Sequence, residues 1–297
     1  MRYKMDFSLI GQKIREVRMH LGLSQKEVCD GICSQAQISK IEKGEVYPSA
    51  PTLYLITKRL GLDLNYFFEK GITQRQDYVE EVKKQLAAAR RNTNYQDVRE
   101  IVKSEINNPI FTSSKENFQL LLWNKGVYEY TLEKKPEKAL KTLHEALSLS
   151  HSNDNVWTEN ELAIIMSIGV IYMDENQIDE AIETLKKAKR YVNNRLNLED
   201  KTIIPRLHFN LSKALYKAEL FEESIACCKE AIEWLIKQDY MYLLGEIYYN
   251  MGYNYELMRL AEKAIYYYER SILIFELQNR LEHIDYIKNK IAALKEN

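Results

Sequence analysis

Two groups of side chains in this sequence have types and spacing suited to recognition chemistry. Gln35, Ala36, Gln37 and Lys40 lie close together in one short stretch. A glutamine can bond adenine N6 and N7 together, a lysine can donate to guanine O6 and N7, and an alanine methyl can meet the methyl of thymine. Gln25, Ser39 and Lys43 lie nearby and carry donors suited to phosphate oxygens. Far along the chain stand Asn210 and Asn250. A carboxamide can accept a peptide N–H and donate to a peptide C=O at once, which fixes a backbone without reading its side chains. Catalytic constellations are missing. There is no Walker-type glycine loop and no GxSxG. His144-Glu145 begins an HExxH-like string, but position 148 is Ser. The five histidines and the four cysteines (Cys29, Cys33, Cys227, Cys228) have no metal-ligand spacing, so no metal, no cofactor and no active site are expected.

The elements that must position the first group are helices. Ile10, Ile14, Val17 and Leu21 recur on one helical face, and Gly22 ends it. Ser24 and Glu27 have the spacing of a capping box, which starts a short second helix. Ser34 can cap a third helix over Gln35 to Lys43, with Ile38 and Ile41 turned inward. Pro48-Ser49 opens a fourth helix bearing Leu53, Ile56 and Leu60, and Gly61 stops it. Asp63 caps a last short turn with Leu64, Phe67 and Phe68. Two short helices joined by a tight turn inside such a bundle form a helix-turn-helix. In that docking mode the N-terminal half of the third helix enters the major groove.

The stretches LGLSQKEV and SQAQISKIEKGEVYPSAPTLYLITKRLG resemble the Cro/phage-repressor-type DNA-binding domain. Between Cys29 and Glu42 the chain is one residue shorter than the commonest version of that motif. The form ICSQAQISKIEKGEVYPS is instead similar to the PlcR-type regulators. The resemblance implies that Arg18 and Glu42 form a buried pair tying the first helix to the third. Residues 1–68 carry a net charge of +3, which leaves −4 for the rest of a chain whose total is −1. So small a positive charge predicts weak binding to duplex DNA by one copy, because phosphate neutralisation supplies much of the affinity. A homodimer on a pseudo-palindromic operator is therefore expected.

The remaining residues repeat. Val98, Ala139, Ala181, Ser224 and Ala264 are corresponding positions, about one repeat apart. The fullest copies, IGVIYMDENQIDEAIETLKKA and MGYNYELMRLAEKAIYYYERS, align Gly169, Tyr172, Ala181 and Ala188 with Gly252, Tyr255, Ala264 and Ser271. The copy at Trp123 keeps Tyr130, Ala139 and Ala146, and a degenerate first copy runs over Tyr78 to Ile110. The pattern resembles the tetratricopeptide repeat, with small residues where paired helices meet. Leu281 to Leu294 reads as a capping helix that closes the last apolar face. Tyr255 and Tyr268 read as core, and Cys227-Cys228 as packing in a second helix.

Laid on the repeat, the sequence predicts a concave wall. Asn124 and Tyr128 come from the second copy, and Met166, Val170 and Met173 from the third. Arg206, Phe209, Asn210, Lys213 and Tyr216 come from the fourth, and Glu246, Tyr249, Asn250 and Tyr253 from the fifth. Asn210 and Asn250 fall at one repeat position and resemble the asparagine with which other proteins of this repeat type hold an extended peptide. Arg206 and Lys213 are suited to a carboxylate.

The fold expected is all-α: a helix-turn-helix bundle over 1–68, a linker or hinge over 69–77, then five tetratricopeptide-like repeats and a capping helix over 78–297. Low Gly and Pro with 29% charged residues agree with long helices. The longest apolar run, Leu162 to Met173, is too short to span a bilayer, and the first residues lack a leader's apolar stretch, so a soluble cytoplasmic protein is expected. This architecture resembles the peptide-responsive quorum-sensing regulators of Gram-positive bacteria. That likeness implies a homodimeric transcription factor, not an enzyme, whose repeats capture a short linear signalling peptide. The alternatives are a repressor controlled by a protein partner and a repeat scaffold inhibiting a signalling protein.

Overall fold

A computed structural model describes residues 8–64, 66–67, 73–150, 157–193 and 198–296. Every regular element among them is helical. The chain divides into two compact units, Met1–Asn92 and Thr93–Asn297.

The first unit holds α1 (Ser8–His20), α2 (Gln25–Cys29), α3 (Gln35–Glu42), α4 (Ala50–Arg59) and α5 (Thr73–Arg91). Its helix starts follow the side-chain caps. Ser24 accepts from the Glu27 amide at 3.2 Å while Glu27 takes the Ser24 amide at 2.7 Å. Ser34 accepts from the Gln37 amide at 3.2 Å, and Ser49 from the Thr52 amide at 3.3 Å. Gly22 and Gly61 both sit at φ +71°, the left-handed turn that ends α1 and α4. Ile10, Ile14, Val28, Ile38, Ile41, Leu53, Ile56, Leu60 and Phe67 form one core. Leu21, predicted on the inner face of α1, is 49% exposed. The chain has already turned at Gly22, and Leu23 packs on the core in its place. Phe68 lies outside the described residues, as do residues 69–72 of the stretch read as linker. Residues 73–77 of that stretch are the opening turn of α5.

The second unit holds α6 (Tyr95–Glu105), α7 (Pro109–Thr112), α8 (Lys115–Thr131), α9 (Pro136–Ser148), α10 (Glu159–Asp174), α11 (Ile178–Asn193), α12 (Ile203–Lys217), α13 (Phe221–Lys237), α14 (Leu244–Leu257), α15 (Ala261–Leu277) and α16 (Ile284–Glu296). The strongest packing is between α8 and α9, α10 and α11, α12 and α13, and α14 and α15, which makes four helical hairpins. Val98, Ala139, Ala181, Ser224 and Ala264 are each 0% exposed, as corresponding close-contact positions must be. A Cβ on Gly126, Gly169 or Gly252 would lie 2.6, 2.8 or 2.6 Å from Leu143, Leu185 or Tyr268 of the partner helix. In the α12–α13 hairpin that place is taken by Ser212, whose carbonyl accepts from Ser224 Oγ at 2.8 Å. α16 packs on α15 and buries Ile284, Ile287 and Ile291. Tyr268 is fully buried, and Tyr255 is half-buried, stacked on Tyr267 at 5.4 Å. No described helix is long and apolar enough to cross a membrane.

The α12–α13 hairpin carries a buried titratable group. His208 Nδ1 lies 3.1 Å from the Cys227 carbonyl. Burial drives its pKa down to about 4, with Lys189 pushing the same way and Glu230 opposing. In the unfolded chain it titrates near ~6.5. Between these values the unfolded chain binds a proton that the folded one does not, so stability is full above ~6.5 and falls as pH drops toward 4. The fall from this group is about 3 kcal/mol. Urea midpoints at neutral and acidic pH are expected to show that loss in the wild type, and His208→Gln is expected to flatten it.

Candidate nucleic-acid and peptide interfaces

The Ser34 cap sets the N-terminal half of α3 at the surface. Gln35, Ala36, Gln37 and Lys40 are all exposed, as is Lys43 at the C-terminal end, and Ser39 is half-buried. The groups suited to base edges therefore share one free helix end. Behind it, Glu42 is buried and accepts from Arg18 Nε at 2.6 Å and Arg18 Nη2 at 2.9 Å. Arg18 Nη1 also donates to the Leu23 carbonyl at 2.8 Å, so one side chain fixes α1, the turn before α2, and α3. Gln25, predicted to face phosphate, is half-buried and gives an amide N–H to Glu42 Oε2 at 2.9 Å. That N–H joins the carboxamide to the charge network, a tie that no local pattern around residue 25 encodes.

Gln35→Ala and Lys40→Ala should each relax base preference at one position of a bound site by about 1–3 kcal/mol. Lys43→Ala should instead weaken binding to every sequence alike and shallow its salt dependence. Footprints and salt titrations separate the two behaviours.

The second unit treats its predicted wall unevenly. Asn124, Asn210 and Asn250 stand two residues before Gly126, Ser212 and Gly252, so they share a repeat position. Asn124 is fully buried and donates to the Leu120 carbonyl of its own helix at 2.8 Å; Tyr128 is buried as well. Neither can reach a guest, which corrects both assignments. Asn250 is also buried, and its Nδ2 donates to Ser212 Oγ at 3.0 Å, so it ties α14 to α12 and is likewise corrected. Asn210 differs. It is half-buried, and its carboxamide has no hydrogen bond among the described residues. The position matching Ser212 one repeat earlier is Gly169, which has no side chain to accept from it.

Around Asn210 the structure gathers Phe209, Lys213 and Tyr216, all half-buried. Lys213 Nζ lies 5.6 Å from the Phe209 ring centre. Burial pulls the Lys213 pKa below the ordinary lysine value, with Asp174 opposing and Lys217 adding to the fall. Tyr216 meets Tyr253 edge-on at 5.2 Å, and Tyr253 stacks with Tyr249 at 6.3 Å. Met166 and Met173 are buried in α10, whereas Val170 is half-buried. Glu246 Oε1 is bonded to Arg280, whereas its Oε2 is buried and has no hydrogen-bond partner among the described residues. The capping helix adds groups that the sequence reading left out. Tyr286 lies 6.3 Å from Tyr249, and Lys290 Nζ lies 4.9 Å over the Tyr253 ring while bridging both oxygens of Glu256 at 2.8 Å. Their signal was present: Tyr286 and Lys290 stand four apart, on one face of α16. A cavity of about 360 Å³ between α9, α10 and α11 contains none of these residues.

Residues 83–295 match the model of the RNPP family C-terminal domain. The chain belongs to the RNPP family. Ahead of that domain, residues 14–67 of this RNPP protein match a helix-turn-helix model. No curated protein sequence matches the chain. Among solved structures, the RNPP chain is similar to Bacillus thuringiensis PlcR in complex with the peptide PapR7 and DNA. That match has a TM-score of 0.83 and 23% identity, covering 94% of this chain and 99% of the other. It is also similar to ComR from S. thermophilus in complex with DNA and its signalling peptide ComS (TM-score 0.67, 18% identity, 96% and 99% covered). A third likeness is to the Streptococcus dysgalactiae SHP pheromone receptor Rgg2 (TM-score 0.62, 16% identity, 96% and 99% covered). At these identities the likenesses establish the shared fold, helical head and helical repeats together.

Proposed function

We propose that this RNPP-family chain is a cytoplasmic, homodimeric transcriptional regulator that binds duplex DNA through α3 and is controlled by a short signalling peptide held by its repeat unit. The observation that carries the reading is the union, in one chain, of a reading helix with its polar N-terminal half free and an RNPP C-terminal domain. The PlcR and ComR structures of this fold each hold DNA and a signalling peptide together, which supports the same division of labour here. A peptide can shift the equilibrium only by binding one arrangement of the protein better than another. A coupling of ~1–3 kcal/mol changes DNA affinity ~5–150-fold.

The test is a gel shift of the pure full-length protein on genomic fragments, with and without culture filtrate. A sequence-selective shift that filtrate strengthens or weakens supports the reading. No shift in either condition overturns it. Asn210→Ala should abolish the filtrate response while leaving DNA binding without filtrate intact, because the Asn210 carboxamide has no hydrogen bond among the described residues. Asn250→Ala should lower the melting temperature, because Asn250 joins α14 to α12. An unchanged filtrate response in Asn210→Ala would place the guest elsewhere.

A further inference from the structure

Two hairpins of the repeat unit differ at one place in the repeat. Gly252 and Ala264 correspond to Gly169 and Ala181, so Tyr248, Tyr255 and Tyr267 correspond to Ile165, Tyr172 and Thr184. In the α14–α15 hairpin Tyr267 supplies a ring between the other two. It stacks on Tyr255 at 5.4 Å and on Tyr248 at 6.4 Å. In the α10–α11 hairpin a threonine stands where that ring would be. The space is left as the cavity of about 360 Å³, with Ile165, Tyr172 and Thr184 in its lining. Leu147, Trp157 and Ile168 give it an apolar floor. Trp157 is buried and stacks on Tyr191 at 4.5 Å, which fixes the indole. An apolar cavity of about 150 Å³ is enough for benzene, so this one has room for a ring and its substituents.

The cavity lies apart from the wall read as facing a peptide. Ile165, Ile168 and Tyr172 are turned about 120° round α10 from Met166, Val170 and Met173, at about 100° per residue. Its mouth is charged. Glu183 is exposed and Lys187 is half-buried, and they stand at i and i+4 of α11. A glutamate before a lysine at that spacing is the favoured order for a pair, yet Lys187 Nζ turns to the Trp157 ring, 5.2 Å from its centre. The neighbouring Lys186 and Lys189 pair with Glu223 and Glu230 at 2.8 and 2.6 Å. Lys187 and Glu183 have no ion pair among the described residues. An apolar floor with a few convergent polar groups at its edge is the usual form of a small-molecule site.

We propose that this cavity binds a small aromatic zwitterion, of which a free aromatic amino acid is the simplest. Its ring takes the place that Tyr267 takes in the α14–α15 hairpin and faces Tyr172. Its ammonium meets Glu183 and its carboxylate meets Lys187. The site shares no residue with α3 or α12, so it stands or falls separately from the DNA and peptide readings.

Calorimetry of the full-length protein with L-phenylalanine and L-tryptophan tests this, with L-leucine, phenylalanine amide and N-acetylphenylalanine as controls. An aromatic amino acid is expected to bind about tenfold more tightly than leucine, the upper range of an aromatic pair beyond its area. The amide and the N-acetyl form are each expected to bind about two- to fivefold more weakly than phenylalanine, the range of a solvent-exposed ion pair. Thr184→Tyr supplies the ring that the α14–α15 hairpin carries, and is expected to keep the melting temperature while abolishing binding. Should that variant fail to fold, Lys187→Gln changes only the mouth, and is expected to bind phenylalanine no better than the wild type binds the amide. No binding of either aromatic amino acid, equal binding of leucine, or undiminished binding in folded Thr184→Tyr overturns the site. Amide and N-acetyl forms that bind as tightly as phenylalanine, or unchanged affinity in Lys187→Gln, overturn the zwitterion.

Discussion

Gly11→Ala is expected to unfold the N-terminal head. Gly11 lies in α1 where that helix crosses the end of α3. A Cβ there would sit 1.7 Å from the Ile41 carbonyl oxygen and 2.7 Å from its carbon. Both are backbone atoms, so no rotamer change relieves the overlap. That oxygen also accepts from the Gly44 amide at 2.9 Å in the turn that ends α3, so moving it breaks a second contact. The alternative is to lift α1 away, which exposes Ile10 and Ile14 on one side and Ile38 and Ile41 on the other. Overpacking of this kind costs about 3 kcal/mol or more. A bundle of this size holds only a few kcal/mol in total at ~0.05–0.15 kcal/mol per residue. Hydrogen exchange on the full-length variant should show protection lost across α1 to α4 and kept in the hairpins from α8 to α15. Protection retained in α1 to α4 would mean that α1 can sit farther from α3 than the structure places it.

Arg18→Ala should be comparably severe for an electrostatic reason. The substitution leaves the Glu42 carboxylate buried with the Gln25 amide donor at 2.9 Å and without its counter-charge. Breaking a buried pair from one side costs about 3–5 kcal/mol. Replacing both partners by apolar residues of similar volume should recover most of that loss, since no charge is then stranded. The pair's role is positional. It holds α3 against α1 with Gln35, Gln37 and Lys40 facing out. The double replacement, Arg18→Met with Glu42→Leu, should therefore regain stability but bind DNA less selectively. The comparison needs denaturation and footprinting on the same proteins. Equal stability of the single and double variants would remove the buried charge as the cause.

The head was legible in the sequence because its signals are local. A serine with a glutamate three residues on, or a glycine where the chain must turn left-handed, specifies an element by itself. The observed caps at Ser24, Ser34 and Ser49 follow from that. The repeat register was legible for a related reason. Where two helices approach closely only a small residue fits, so Ala139, Ala181, Ser224 and Ala264 mark the crossings directly. Gly126 belongs to the same series, and its contact with Leu143 shows the second copy to be more complete than the reading at Trp123 allowed.

The candidate site was legible only in part. Arg206, Phe209, Asn210, Lys213 and Tyr216, which the register assigned to a concave wall, are each half-buried on α12. Asn124, Tyr128 and Asn250 were assigned by the same register and are buried. Gln25 matched its motif position, yet its amide is held by Glu42. What the sequence determined by itself is angle: the helical repeat fixes the direction in which each side chain leaves its axis, and capping fixes where each axis begins. What only the tertiary structure decided is occupancy of the space in that direction. Asn250 meets a hydroxyl on the neighbouring helix, whereas the matching neighbour position for Asn210 is a glycine. The distance and chemistry of a residue some forty positions away thus decide whether a carboxamide is structural or free, and no pattern within one repeat contains that information.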